Sequence, residues 1–397
     1  MCVMVTIAPV KIPAEPRPAT ARLRIKSLEL GAPEVVFRDL LRSRAREGGM
    51  FHLERLALNL SIDVIGNVVL DHRLSSQSKP NHLTTALRSQ LSWCTTGAET
   101  NPFEHLNMVR SIVHAYNTYR IDSYISRELE SRYDAVQQKA RSKSVVDLAL
   151  KSYLAEQPTE QKTTAMDSTL KAFVRSQIKL FLLAGHDTTS ATAVYIFYLL
   201  SEYPSILACV REEHTNIFGS DVDATRSILA SKPQLLNQLP LTLAVIKEAL
   251  RLFPQAPTAR AGQPSYYLFG EAGVQFPTEG CLVWGNHHGI HHNPRYWPRV
   301  EEFVPERWLV PEGDVLYPTK DAWRGFERGP RNCIGQELAL TELKIMLVMT
   351  LREFEIVDAY AEWDARKGRR KTPNVNGERA FQIIRGGGIQ VVSFLVV

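Results

Sequence analysis

A single cysteine stands among Gly, Pro and Arg in the stretch FERGPRNCIG, residues 326–335. The stretch after it, QELALTELKIMLVMTLREFEI, has a helical pattern and is apolar nearly all round, which predicts a buried helix. One interpretation of Cys333 is a small buried hydrophobe without chemistry, as most free cysteines are. The other is a reactive sulfur at the start of a helix. The rest of the chain has to decide between these two readings.

A second group of residues that could take part in a reaction lies inside a long apolar helix, predicted from about Asp167 to Tyr203. Its centre reads AGHDTT, residues 184–189, and glycine and threonine are poor choices inside a helix. An acid beside a hydroxyl, Asp187 and Thr188, indicates a kinked groove where protons are handled. A close contact between helices through small residues explains the same letters equally well.

Two further groups are ambiguous by themselves. KEALRLFP places Glu248 and Arg251 three residues apart on a predicted helix, a spacing that usually gives a solvated surface ion pair. HHGIHH, residues 287–292, offers four imidazoles. No surrounding helical pattern and no zinc-protease carboxylate supports a metal site there, so we do not expect one.

The five fixed positions Phe326, Gly329, Arg331, Cys333 and Gly335 together resemble the haem-binding signature of the cytochrome P450 family. AGHDTT is similar to that family's oxygen-activation motif, and EALR is similar to its Glu-x-x-Arg pair. FVPERW, residues 303–308, resembles the segment whose arginine completes a buried triad with that pair. The four motifs also occur in the family's order and spacing.

The resemblance implies haem b, with its iron bound by the Cys333 thiolate, and assigns Phe326 and Gly335 to the haem-binding segment. It implies that Arg331, and less directly Arg260, contacts a propionate. A soft thiolate suits haem iron, and a nearby arginine and a helix N-terminus favour the anionic sulfur.

The resemblance also assigns roles to residues outside the cysteine stretch. It implies that Asp187 and Thr188 deliver protons to oxygen. It implies that Glu248, Arg251 and Arg307 form a structural triad.

The fold class expected is mainly α, a cytochrome P450 haem-thiolate fold with a small β portion. Residues 266–285, split by Gly and Pro, predict strands and hairpins, and residues 381–397 predict a terminal hairpin. We expect residues 1–33 to be a basic, Pro-rich leader and residues 34–397 to be one catalytic domain. The N-terminal part of the fold is expected to be missing, because no tryptophan before Asp187 has an arginine four residues later.

Composition narrows the function classes. The 397 residues are 44% hydrophobic and 22% charged, with a net charge of +5, and no long basic block predicts a nucleic-acid partner. Five widely spaced cysteines argue against a disulfide framework. No apolar run approaches the ~18 residues of a spanning helix. The cysteine usage favours a reducing compartment. The resemblance implies a location in the cytoplasm or peripheral on the cytoplasmic side of the endoplasmic reticulum. The basic leader would allow a peripheral membrane contact, but a plain, poorly ordered terminus is the favoured interpretation.

The resemblance implies a monooxygenase that inserts one oxygen atom from O2 into a hydrophobic small molecule, in fungal secondary metabolism. Electrons would come from NADPH through a separate cytochrome P450 reductase, for which Arg324, Arg328, Arg331 and Lys344 offer a basic face. A generic solvated surface explains those four residues equally well. Two alternatives stay open: a haem-thiolate enzyme that rearranges or couples its substrate, and an inactive truncated chain that binds haem.

Overall fold

The computed structural model describes residues 32–48, 50–93, 108–137, 144–156, 166–270, 273–359 and 393–396. The described chain is mainly helical, with three small antiparallel sheets. It divides into two compact units. One comprises residues 32–194 with the described part of residues 354–397, and the other is Tyr195–Glu353. We call them the 32–194 unit and the 195–353 unit.

The 32–194 unit is built from helices. They are α1 (Ala32–Glu47), α2 (Leu53–Leu70), α3 (His82–Ser92), α4 (Met108–Gln137), α5 (Val145–Glu156) and most of α6 (Ser168–Glu202). Its only described sheet has the order β1 (Phe51–His52), β7 (Ser393–Val396), β6 (Ile356–Asp358). The apolar residues of α2 recur every three or four positions and are buried, so this helix forms the centre of the unit.

Helix α6 is the long helix that the sequence predicted, and it is assigned as α-helix without a break through AGHDTT. Val174, Ile178 and Leu182 are buried at spacings of four and define its inner face. On the other side, Lys179 Nζ lies 2.9 Å from Asp122 Oδ1 of α4. The apolar spacing accounts for the helix, and the polar ends of its side chains tie it to α4.

The 195–353 unit contains the remaining helices and strands. The helices are α7 (Pro204–Phe218), α8 (Thr225–Ser231), α9 (Pro240–Leu252), α10 (His287–His291) and α11 (Gln336–Thr350). Strands β2 (Thr258–Ala261) and β5 (Leu282–Gly285) pair antiparallel, as do β3 (Tyr267–Phe269) and β4 (Gln275–Pro277). Short 3₁₀ turns cover Pro233–Gln238, Pro305–Trp308 and Gly329–Arg331.

Helix α9 has well-defined ends. Pro240 stands at its first position, and Glu213 of α7 accepts hydrogen bonds from the backbone N–H groups of Leu241 (2.7 Å) and Thr242 (3.0 Å). A carboxylate at a helix N-terminus satisfies free donors and the positive end of the helix dipole. Phe253 N closes the last turn on Ala249 O at 2.8 Å, immediately before Pro254.

The structure bears out most of the predicted elements. Strands β3, β4 and β5 and the helices α6, α9 and α11 match the sequence predictions, whereas β2, the partner of β5, lies before the predicted residues 266–285. Helix α11 was predicted to be buried, and this holds for its C-terminal half. Residues 338–341 in its N-terminal half are half exposed. The predicted leader and most of the predicted terminal hairpin lie outside the described residues.

No single helix among the described residues is long and apolar enough to span a membrane. Helices α6 and α7 satisfy that length and composition only as a pair, and they are bent by 113° at their junction.

Candidate functional site

The Cys loop, residues 326–335, holds Cys333 at the N-terminal end of α11. The Cys333 N–H donates to Phe326 O at 2.8 Å, which closes the loop on itself. Gly329 has φ +77°, a left-handed conformation that favours glycine, and begins the 3₁₀ turn Gly329–Arg331. Gly335 occupies the N-cap position of α11. The glycines of the motif therefore shape a turn that ends where a helix begins.

Cys333 is exposed, as are its neighbours Arg331, Asn332 and Ile334. The prediction of a small buried hydrophobe is therefore wrong for this residue. A Cβ added to Gly335 would lie 3.8 Å from Cys333 Sγ, so Gly335 borders the sulfur. The free N–H groups of the first turn of α11 and the positive end of its dipole lie at the same end of the helix.

These residues fit a haem-thiolate site. Cys333 offers a single sulfur donor that is exposed at the end of a loop and bordered by a glycine. Haem iron binds a cysteine through such a soft sulfur. Among the described residues, no group of three or more His, Cys, Asp or Glu side chains could hold a metal ion, and this includes the histidines of α10.

The two arginines assigned to propionate contacts both have exposed side chains, Arg331 in the Cys loop and Arg260 in β2. Arg260 Nη1 donates to its neighbour Ala259 O at 2.8 Å. The other basic residues near the cysteine differ in their surroundings. Arg328 pairs with Asp321 at 2.7 Å, and Lys344 Nζ donates to Leu236 O at 3.0 Å.

Glu248, Arg251 and Arg307 meet in the interior of the 195–353 unit, each with 0% of its side chain exposed. Glu248 Oε1 accepts from Arg251 Nη2 at 2.8 Å and from Arg307 Nε at 3.0 Å. It also accepts from the Val304 backbone N–H at 3.1 Å, and Glu248 Oε2 accepts from Trp308 Nε1 at 3.0 Å. The surface-pair interpretation of Glu248 and Arg251 is therefore wrong.

Other donors of the two arginines go to backbone carbonyls, while Arg307 Nη1 is buried without a hydrogen-bond partner. Arg251 donates to Val300 O at 2.7 Å and to Glu302 O at 2.9 Å, and Arg307 donates to Pro298 O at 3.1 Å. Burial lowers the pKa of Arg307, and the carboxylate of Glu248 opposes that shift. The group therefore connects α9 to the irregular segment of residues 298–308 through charge-assisted hydrogen bonds.

The AGHDTT segment presents different residues on different sides of α6. A Cβ on Gly185 would lie 2.7 Å from Ile65 Cγ1 of α2, so the glycine permits a close contact between the two helices. His186 is buried and donates from Nδ1 to Leu182 O at 2.7 Å. The small-residue interpretation therefore explains Gly185.

Asp187 and Thr188 lie away from that contact. Asp187 is exposed, and Thr188 is half-buried. Thr188 Oγ1 donates to Ala184 O one turn back at 2.7 Å, and the helix continues through this bond without a break. The bond leaves the lone pairs of the hydroxyl oxygen free for other donors. An acid and a hydroxyl in adjacent positions are thus accessible on α6.

Sequence reasoning missed the contribution of α10 to the Cys loop. His291 is buried, and its Nε2 accepts the Arg324 backbone N–H at 2.8 Å, so its Nδ1 must donate to Arg251 O, 3.0 Å away. Burial, followed by the charge of neighbouring His287, lowers the pKa of His291 to about 3, which keeps this tautomer neutral. The repeated histidines were the available signal, but the sequence analysis considered them only as metal ligands and did not expect a metal site there.

Comparison with known proteins gives the fold and the family. The family profile described as Cytochrome P450 matches residues 35–366. A crystal structure of a cytochrome P450, CYP102L1, superposes with a TM-score of 0.70 over 94% of this chain and 77% of that chain, at 19% identity. At this identity the structural match supports the mainly helical fold with small sheets.

Two fungal proteins are similar in sequence. Cytochrome P450 monooxygenase polC of Polytolypa hystricis is 53% identical over 353 residues, which is 89% of this chain. Cytochrome P450 monooxygenase acrF of Aspergillus aculeatus is 34% identical over 83% of this chain. The chain spans 64% of the length of polC and 68% of the length of acrF. From the profile match and these similarities together, the chain belongs to the cytochrome P450 family.

Proposed function

We propose that this chain is a haem-thiolate monooxygenase that inserts one oxygen atom from O2 into a hydrophobic small molecule. The observation that carries the proposal is the exposed Cys333 sulfur at the N-terminus of α11, bordered by Gly335. Family membership and the names of polC and acrF, which both call the relative a monooxygenase, support the reaction class.

Each site residue has a proposed task. Cys333 would hold the iron of haem b as a thiolate, while Arg331 and Arg260 would neutralise propionates with their exposed guanidinium groups. Phe326 would orient the loop through its carbonyl, which accepts the Cys333 N–H. When bound, the haem supplies the activation of dioxygen.

The accessible pair on α6 would manage protons. Asp187 is exposed to solvent and would relay protons from it. The adjacent Thr188 hydroxyl would hydrogen-bond the dioxygen substrate. Glu248, Arg251 and Arg307 take no part in the chemistry under this proposal. They would act as a structural support, since all three are fully buried in one network.

The electrons would come from NADPH through a separate cytochrome P450 reductase. The supporting observation is Arg328, an exposed residue of the Cys loop that would attract an acidic partner in place of its ion pair with Asp321. A hydrophobic substrate and that partner favour a location at the cytoplasmic face of the endoplasmic reticulum, with peripheral contact, or in the cytoplasm. Secondary metabolism is the setting that the fungal relatives favour.

The absorption spectrum of the reduced, carbon monoxide-bound protein tests the proposal. Thiolate ligation moves the main band far to the red. We expect the native chain to show this band and Cys333→Ser to lose it, because a serine hydroxyl does not supply the soft anionic donor. Cys281→Ser is the matched control, since Cys281 is another exposed cysteine of the same unit. A red-shifted band that survives Cys333→Ser would show that another group holds the iron.

Product analysis under labelled dioxygen separates oxygen insertion from the rearrangement alternative. We expect one labelled oxygen atom in the product of the native chain. A product formed without label would exclude the proposed reaction while leaving haem binding intact.

A further inference from the structure

Glu327 lies in the Cys loop but is not among the five positions of the haem-binding motif. Its carboxylate accepts hydrogen bonds from three side chains: Thr258 Oγ1 of β2, His287 Nε2 of α10 at 2.8 Å, and Arg324 Nη1. Only 15% of the Glu327 side chain is exposed. A glutamate on a solvated loop would not have three partners from three segments of the chain.

The ionised form of Glu327 fits these donors. Burial raises the pKa of Glu327, but hydrogen bonds from Thr258, His287 and the Arg328 backbone N–H, together with the charge of Arg324, outweigh it and lower the pKa to about 2. An ionised carboxylate can only accept, so His287 must donate from Nε2. The partners therefore hold the charged side chain in one position.

The backbone of Glu327 is in an unfavourable conformation. Its φ is +58°, in the left-handed region that non-glycine residues seldom adopt and that costs on the order of 1 kcal/mol or more. Such a conformation persists when the surrounding contacts hold it. The side-chain contacts of Glu327 can do so, together with the hydrogen bond from its own backbone N–H to Arg324 O at 3.2 Å.

This conformation has a direct effect on the cysteine. Rotation about φ of Glu327 turns the peptide group that it shares with Phe326, and the carbonyl of that group accepts the Cys333 N–H at 2.8 Å. The side-chain contacts of Glu327 therefore determine where the acceptor for the Cys333 backbone points.

Helix α10 holds the same segment at a second point. His287 and His291 are four residues apart, so they lie on one face of the helix. His287 contacts the Glu327 carboxylate, and His291 Nε2 accepts the Arg324 N–H at 2.8 Å. Residues 324–327 are thus fixed at both ends before the chain reaches the sulfur.

We propose that Glu327, held by His287 and Thr258, is a positioning residue that orients the Phe326 carbonyl and thereby sets the placement of Cys333. The part of this inference that concerns haem rests on the function proposed above. The part that concerns the Phe326–Cys333 hydrogen bond does not, because both atoms belong to the chain.

Two measurements on the full chain as purified test these parts separately. Backbone hydrogen exchange of the 326–335 segment reports the hydrogen bond between Cys333 and Phe326. Haem transfer to an apo-globin, with the reduced carbon monoxide spectrum, reports the ligation. The variants are Glu327→Ala, the milder Glu327→Gln, Glu327→Gly, His287→Ala and His287→Gln.

Glu302→Ala is the matched control. Glu302 accepts from Arg299 three residues earlier, as Glu327 accepts from Arg324, but both partners of this pair are 53% exposed. We expect Glu327→Ala and His287→Ala to speed exchange at Cys333 and haem transfer about tenfold each, and to increase the share of protein without the red-shifted band. Glu302→Ala should leave all three unchanged.

The remaining variants distinguish the mechanism. His287→Gln keeps an N–H donor at a similar reach, so it should restore the native behaviour. Glu327→Gln keeps the size of the side chain but not its charge, and should give an intermediate effect. Glu327→Gly removes the contacts but also the backbone cost, because glycine adopts a left-handed φ readily, so its effect should be smaller than that of Glu327→Ala without full recovery.

Native exchange in Glu327→Ala, or full recovery in Glu327→Gly, would overturn the inference. Failure of the native chain to show the red-shifted band would instead count against the proposed function. The hydrogen-exchange result would still decide the positioning role in that case.

Discussion

At the residue scale, each fixed position of the Cys loop has its own physical reason. Gly329 supplies a left-handed φ of +77°, and Gly335 leaves room beside Cys333 Sγ. The Phe326 carbonyl accepts the Cys333 N–H at 2.8 Å. The same scale separates the two interpretations of AGHDTT, because Gly185 packs against Ile65 while Asp187 and Thr188 stay accessible.

The accessible hydroxyl of Thr188 leads to a test of its proposed role. We expect Thr188→Ala to keep haem binding but to lower the ratio of product formed to NADPH consumed by about tenfold or more, with peroxide released instead. The reason is that a methyl group can neither accept nor pass on a proton. Coupled turnover with the reductase, measured as NADPH loss, product and peroxide, checks this outcome.

Thr188→Ser and Thr192→Ala serve as controls for that experiment. Serine keeps the hydroxyl, so it should preserve coupling. Thr192 also donates to the carbonyl one turn back, Thr188 O at 2.8 Å, but it carries no proposed role. Equal coupling in Thr188→Ala and the native chain would remove Thr188 from the reaction.

At the element scale, the Glu248 network holds irregular backbone in place. The Glu248 carboxylate of α9 accepts hydrogen bonds from Arg307 and Trp308 of the 3₁₀ turn Pro305–Trp308. Arg251 and Arg307, its two arginine partners, also donate to carbonyls of residues 298–302. A segment with little periodicity cannot bury its backbone without such partners. The packing of residues 298–308 on α9 therefore depends on charged side chains as well as on buried apolar ones such as Phe303 and Val304.

Removing the carboxylate should expose that dependence. We expect Glu248→Ala to lower the free energy of unfolding by about 3–5 kcal/mol, because it leaves the buried charges of Arg251 and Arg307 without their partner. Chemical denaturation followed by circular dichroism measures the change. Glu306→Ala is the control, since Glu306 is the exposed neighbour of Arg307 and its loss should cost less than about 1 kcal/mol. Similar losses in both variants would contradict a structural triad.

The sequence could predict elements more readily than the contacts between them. Apolar periodicity predicted α6, α9 and α11, and the Gly and Pro residues predicted the strands within residues 266–285 but not β2. The Glu-x-x-Arg spacing is the same for a surface pair and a buried pair. The burial of Glu248 and Arg251 could therefore be read only from the structure. The contacts of Glu327 join residues 258, 287 and 327, and no local pattern predicts such a meeting.

At the scale of the whole molecule, buried titratable groups make the stability respond to acid in opposing ways. In the 195–353 unit, burial lowers the pKa of both His214 and His291 to about 3, and both side chains are fully buried. In the 32–194 unit, burial raises the pKa of Glu34 to about 7. The two histidines are held neutral, whereas the carboxyl group of Glu34 takes up its proton more readily in the folded state than in the unfolded state, so acid acts on them in opposite directions.

The sign of each contribution follows from comparing folded and unfolded states. An unfolded histidine gains its proton near pH 6.5 and a folded one near pH 3, so the stability from each is present above pH 6.5 and is lost as the pH falls toward 3. Between pH 7.5 and pH 5 each histidine costs about 2 kcal/mol. Glu34 is protonated first in the folded state, so over the same interval it adds about 2 kcal/mol.

We therefore expect these three groups together to lower the unfolding free energy of the native chain by about 2 kcal/mol between pH 7.5 and pH 5, as the net of their opposing contributions. His214→Gln should nearly abolish that loss, because it removes one group that takes up a proton on unfolding. Glu34→Gln should increase the loss to about 4 kcal/mol, because it removes the group that opposes the histidines. Urea denaturation at the two pH values, compared within each variant, measures both differences. A loss that is the same in all three proteins would mean that burial does not shift the pKa of His214 or of Glu34 in the folded state.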